Sequence, residues 1–169
     1  MKKVPMIILL LAPYVFLLIC IGICMAEKGF TADAIEMIGW TFLGMFLLIL
    51  FPNMIYAFIL KRFGYGHRKL FFWNMLLKLC NIPIYVLVFA VGAFASAMIL
   101  GIMLLPFLVI FDYSLLLSSS MYGVSGLRSL SKTGKASKAG IVINGICQFL
   151  FVFDVISAAY LYIRFRKSY

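Results

Sequence analysis

Five stretches of this chain, at about 4–25, 37–60, 71–94, 98–122 and 140–163, are almost wholly apolar. Each is about 20 residues or longer, enough for a helix to cross roughly 30 Å of hydrocarbon. Membrane β-strands are shorter and alternate polar with apolar residues, and these stretches do not alternate. The expected fold is all-α: a polytopic helical membrane bundle of five transmembrane helices, with four as the alternative. Composition agrees, since 66% of the 169 residues are hydrophobic and 12% charged, against about half and a quarter in a soluble domain. No polar segment is long enough for a separate domain, so residues 1–169 read as a single integral membrane domain.

A net charge of +10 raises the question of nucleic acid. The placement of the charges answers it. Of the 15 Lys and Arg, all but Lys78 lie at the ends of apolar stretches or between them, where they hold the cytoplasmic side of a membrane. The expected partner is therefore the lipid bilayer, with a homo-oligomer or a membrane protein partner beside it, and no nucleic acid. Lys2, Lys3, Lys61, Arg62, Arg68, Lys69, Arg128, Lys132, Lys135 and Lys138 share one side, and Glu27, Asp33 and Glu36 the other. This puts the N-terminus in the cytoplasm and the chain in the plasma membrane. Trp40 and Trp73 are expected at opposite interfaces. Five crossings would leave Arg164, Arg166 and Lys167 outside, against the trend. A first segment that fails as a signal peptide, because its apolar run is too long, serves as an uncleaved anchor.

Cys20, Cys24, Cys80 and Cys147 all fall in apolar stretches, and the single histidine, His67, lies in a basic loop. No metal site and no cofactor is expected from such a set. Pro13, Pro52, Pro83 and Pro106 mark every apolar stretch but the last, and each is expected to shape its helix.

The informative residues are polar groups inside apolar stretches: Asn53, Lys78, Asp112, Gln148 and Asp154. A charge at the bilayer centre costs roughly 3 kcal/mol, so these residues should face the bundle interior and meet partners. On a helical projection Asn74, Lys78, Asn81, Tyr85, Gly92 and Ser96 fall within an arc of about 60°, and Gly101, Asp112, Ser119 and Gly123 within about 40°. Asn144, Cys147, Gln148, Asp154 and Ala158 share a third face, opposite Val142, Phe153, Ile156 and Tyr160. Counted at 1.5 Å per residue, Asn53, Lys78 and Gln148 lie ~11 Å and Asp112 ~15 Å from the cytoplasmic ends of their spans. The expectation is a Lys78–Asp112 pair. Asp154, ~21 Å deep, has no cation at its level.

Two motifs carry less than they suggest. Gly123-Val124-Ser125-Gly126 resembles the nucleophile motif of rhomboid proteases, but no span supplies a histidine base. Together with Ser118-Ser119-Ser120 and Tyr122 it reads as an interhelical hydrogen-bonding patch. Gly64-Tyr65-Gly66-His67-Arg68-Lys69 has glycines and cations without the strand and helix of a phosphate loop. No enzyme is expected.

The stretches FDYSLLLSSSMYGVSGL and QFLFVFDVISAAYLYIRFRK resemble the C-terminal half of an uncharacterised family of small multi-span bacterial membrane proteins with no assigned function. The resemblance covers residues 111–167 and implies a bacterial inner-membrane setting, with no activity attached. The residues themselves point to a non-enzymatic protein, transporter-like or transport-accessory, with a polar intramembrane centre. A structural or regulatory subunit of a larger membrane complex is the alternative.

Overall fold

The computed structural model describes residues 3–29, 31–97, 104–133 and 137–165. Six helices make up these residues: α1 (Val4–Ala26), α2 (Ala32–Ile59), α3 (His67–Ser96), α4 (Leu105–Thr133), α5 (Lys138–Cys147) and α6 (Phe153–Phe165). The first four are long and apolar enough to cross a membrane.

Their ends follow from local chemistry. Thr31 caps α2 by accepting from the Ala34 amide, and Asp33 in the first turn complements the helix dipole. Ser137 caps α5 in the same way through the Gly140 amide. Pro52 lacks an amide proton, and the turn before it, Phe46–Leu50, widens into a π-turn that stays in register with the helix. Pro13 and Pro83 lie inside continuous helices, while Pro106 sits in the first turn of α4, where a missing N–H is harmless.

The apolar stretch without a proline is the one that breaks. Residues 140–163 do not form one continuous helix. The chain leaves α5 at Cys147, turns through 148–152 and restarts as α6. Val152, at φ 71°, sits at the bend in a conformation that costs a β-branched residue about 1–2 kcal/mol. The hydroxyl of Ser157 donates to Asn144 Oδ1 at 3.0 Å. In one straight helix these residues would stand about 20 Å apart. The segment is therefore a hairpin, and four long helices replace the expected five spans. Each arm is about half as long as a crossing needs, roughly 15 Å for the ten residues of α5.

The chain divides into two compact units, residues 1–53 with 83–114, and 54–82 with 115–169. The first unit is built round an aromatic cluster. Phe16 stacks on Phe111 at 5.0 Å between ring centres, and Phe42 meets Phe16, Phe107 and Phe111 edge-on. Gly92 of α3 faces Leu105 and Leu108 of α4. The second unit packs Phe71, Leu127, Leu130, Leu161 and Phe165 together. Phe165, at the end of α6, lies against both Phe71 and the His67 ring at the start of α3. The hairpin thus returns to the level at which α3 begins.

Polarity runs opposite to that of a soluble domain. Leu48 is 79% exposed, Phe89 77% and Ile163 69%, whereas Lys78, Ser118, Ser120 and Gln148 are fully buried. Trp40 is exposed, and its indole nitrogen donates to Glu36. Trp73 is buried, packed edge-on to Phe72.

Candidate functional site

The second unit gathers the polar residues of α3, α4 and the hairpin. Asn74 and Lys78 are four apart and project from one face of α3. Ser120 and Gly123 face them from α4, and Gln148 and Asp154 close the site from the two ends of the hairpin bend.

Lys78 is the centre. Its ammonium donates to Asp154 Oδ2 at 3.0 Å, to Ser120 Oγ at 3.0 Å and to the Gln148 carbonyl at 3.1 Å. An ammonium has three protons, and all three are used. The Ser120 hydroxyl also donates to the Gln148 carbonyl. Asp154 is held from its other side, with Oδ1 accepting from the Val155 amide. The pair is buried at both ends.

The broken helix explains why these charges are tolerated. The C-terminal end of α5 carries a partial negative charge, and its last carbonyls lack helical partners. Lys78 supplies a cation to one of them, that of Gln148. The N-terminal end of α6 carries a partial positive charge, and Asp154 stands in its first turn. Each ion meets the helix end of opposite sign and then meets the other ion.

A chain of amides continues the site. Asn74 Nδ2 donates to Gln148 Oε1 at 3.0 Å, and Gln148 Nε2 donates to Ser157 Oγ at 3.1 Å. Asn144 Nδ2 donates to the Gly140 carbonyl. Two buried acceptors, Asn74 Oδ1 and Asn81 Oδ1, make no hydrogen bond.

Of the five residues singled out from the sequence, the structure joins three: Lys78, Gln148 and Asp154. The expected Lys78–Asp112 pair does not form. Asp112 lies in the first unit, half-buried, and its Oδ1 makes no hydrogen bond. The reason is the length of α4. Depth counted from residue 122 assumes that the helix ends there, but it runs to Thr133, about 16 Å further. The residue of α4 that meets Lys78 is Ser120. Asn53 also lies in the first unit and donates to the Ile49 carbonyl one turn back. Asp154, expected without a cation, has one, because the hairpin folds it back toward Lys78. Ser118, Ser119 and Ser120 are all buried; Ser120 bonds across helices, whereas the Ser119 hydroxyl donates to the Leu116 carbonyl of its own helix. Asn74 was marked by its place on the Lys78 face, and nothing in the sequence showed that Gln148 would sit at a bend.

The GxSG stretch proves to be a packing motif. A Cβ on Gly123 would lie 2.7 Å from Gln148 Oε1 and 2.8 Å from Asn74 Nδ2, and one on Gly126 2.6 Å from the Phe71 ring. Gly123→Ala is expected to cost about 1–3 kcal/mol by forcing the Asn74–Gln148 bond apart. Gly145→Ala, whose Cβ meets nothing within 4 Å, is expected to be neutral or to stabilise α5 by up to about 1 kcal/mol. Thermal unfolding of the two variants in detergent checks this contrast, and equal behaviour would contradict the close packing at Gly123.

No group of three or more His, Cys, Asp or Glu side chains among the described residues is placed to hold a metal ion. No curated protein and no solved structure matches the chain. Residues 2–167 match a family described as a family of unknown function, DUF6652. The match takes in both stretches that resembled uncharacterised proteins and nearly everything else, so the chain belongs to the DUF6652 family.

Proposed function

We propose that this is a non-enzymatic multi-pass membrane protein whose polar centre is structural: it locks a half-membrane hairpin into a bundle that acts as a scaffold or accessory subunit. The observation that carries the reading is the saturation of Lys78. A cation with three short bonds, two of them to groups on the hairpin bend, is a staple with no proton left to give a ligand. The four long apolar helices and their outward apolar side chains support the membrane setting. The basic residues at the ends of α2, α3, α4 and the hairpin support a bacterial plasma membrane, with the N-terminus and the hairpin base in the cytoplasm.

A transport-like role is the second reading, and two observations favour it. A helix broken at an intramembrane ion pair is how many transporters build their sites. The acceptors Asn74 Oδ1 and Asn81 Oδ1 also stand open on the Lys78 face. Reconstitution into liposomes loaded with a pH-sensitive dye separates the two. The structural reading expects wild-type vesicles to pass protons and monovalent cations no faster than empty ones. A flux that Asp154→Asn abolishes, while the variant still folds, would replace it with transport.

A further inference from the structure

The first unit contains a cavity of about 500 Å³, within the range of ligand sites. Phe16, Cys20 and Cys24 of α1, Val91 of α3, and Leu108 and Phe111 of α4 are among its walls. Every described lining residue is apolar or a cysteine. Among the described residues no amide, hydroxyl or charged side chain is there to orient a polar ligand. An open groove lined in this way is suited to an apolar occupant.

The dimensions select what that is. Along α1 the walls run from Phe16, whose ring stacks on Phe111, to Met25 at the helix end. Nine residues of helix are about 13 Å, close to one leaflet of a bilayer whose hydrocarbon is ~30 Å thick. The cavity is not sealed. Beyond Met25 the chain turns polar at Glu27 and Lys28, which suits a headgroup at the membrane surface. A chain as long as one leaflet, apolar throughout and ending at a charged surface, is an acyl chain.

We propose that this cavity binds one acyl chain of a phospholipid from the leaflet opposite the basic loops. The proposal rests on the membrane setting given above. It makes the first unit a lipid-binding module and leaves the Lys78 site uninvolved.

The test uses the full chain in vesicles that contain a phospholipid with a diazirine near the end of one acyl chain. Photolysis and peptide mass spectrometry then map the adducts. The expected result is adducts concentrated on Phe16, Cys20, Leu108 and Phe111, in excess over Leu48 and Ile163, which are among the most exposed apolar residues. Cys20→Trp, or Val91→Phe should the first fail to fold, fills the space, and cavity adducts then fall by about tenfold or more. Adducts spread evenly over the exposed apolar residues, or cavity adducts unchanged in the filled variants, would overturn the proposal. Lipid extracted from the purified protein that proves to be free fatty acid alone would overturn the phospholipid source. Extraction of the protein from cell membranes by alkaline carbonate would sink the membrane setting instead, so the two failures are distinct.

Discussion

Lys78→Met is expected to cost about 3–5 kcal/mol, because it strands the Asp154 carboxylate in the interior without its cation. Asp154→Leu should cost a similar amount, since it strands the ammonium. The double variant is the decisive species. With both charges gone, nothing needs a counter-ion, and buried pairs are often replaced by apolar residues at little net cost. What remains lost are the bonds from Lys78 to Ser120 and to the Gln148 carbonyl, which Ser120 still serves, and the bond from the Val155 amide to Asp154, so the residual penalty should be about 1–3 kcal/mol. Unfolding of the purified variants in detergent gives the coupling as the difference between the double loss and the sum of the single losses. Simple additivity would show that the two ions do not act on each other. Lys78→Met combined with Asp112→Leu supplies the contrast, and there the losses should add.

How much of this was legible in the sequence depends on what each feature needs. The four long helices are written in local composition, which finds each of them but ends α4 about eleven residues early. The facing of side chains was legible too. Asn74 and Lys78 on one side of α3, and within α6 Asp154 and Ala158 against Phe153 and Ile156, follow from a period of 3.6 residues. The structure buries the first set and exposes the second. The hairpin was not legible by those means. Its apolar run is as long as a true crossing, and it has no proline to mark the bend. The break is stabilised by residues remote in sequence: Lys78 and Ser120 lie 70 and 28 residues from Gln148. Depth, counted along a presumed straight helix, then failed together with the helix, and it put Asp112 where Ser120 belongs. One signal did point the right way. The cations Arg164, Arg166 and Lys167 sat on the wrong side of a five-span chain, and that conflict was a statement about topology.

That conflict now makes the sharpest prediction. The hairpin base brings Arg164 beside Ser137 and Gly140, where all three line one small recess, so α6 ends on the side from which α5 begins. On the proposed orientation ten basic residues share that side, and the three at the chain's end would make thirteen of the 15. Lys28 alone would be opposite, and Lys78 is buried. A segment that crossed would instead carry three cations to the far face against the bias that orients membrane proteins. In a background without Cys20, Cys24, Cys80 and Cys147, cysteines placed singly at Ser137 and Arg164 should react with an impermeant thiol reagent only after the membrane is opened. One placed at Asp33, in the first turn of α2, should react in intact cells. The expected change is between full labelling and none. Labelling of Arg164→Cys from outside, with Ser137→Cys protected, would mean that residues 140–163 traverse the bilayer, and the Ser157–Asn144 contact that defines the hairpin would have to be given up with it.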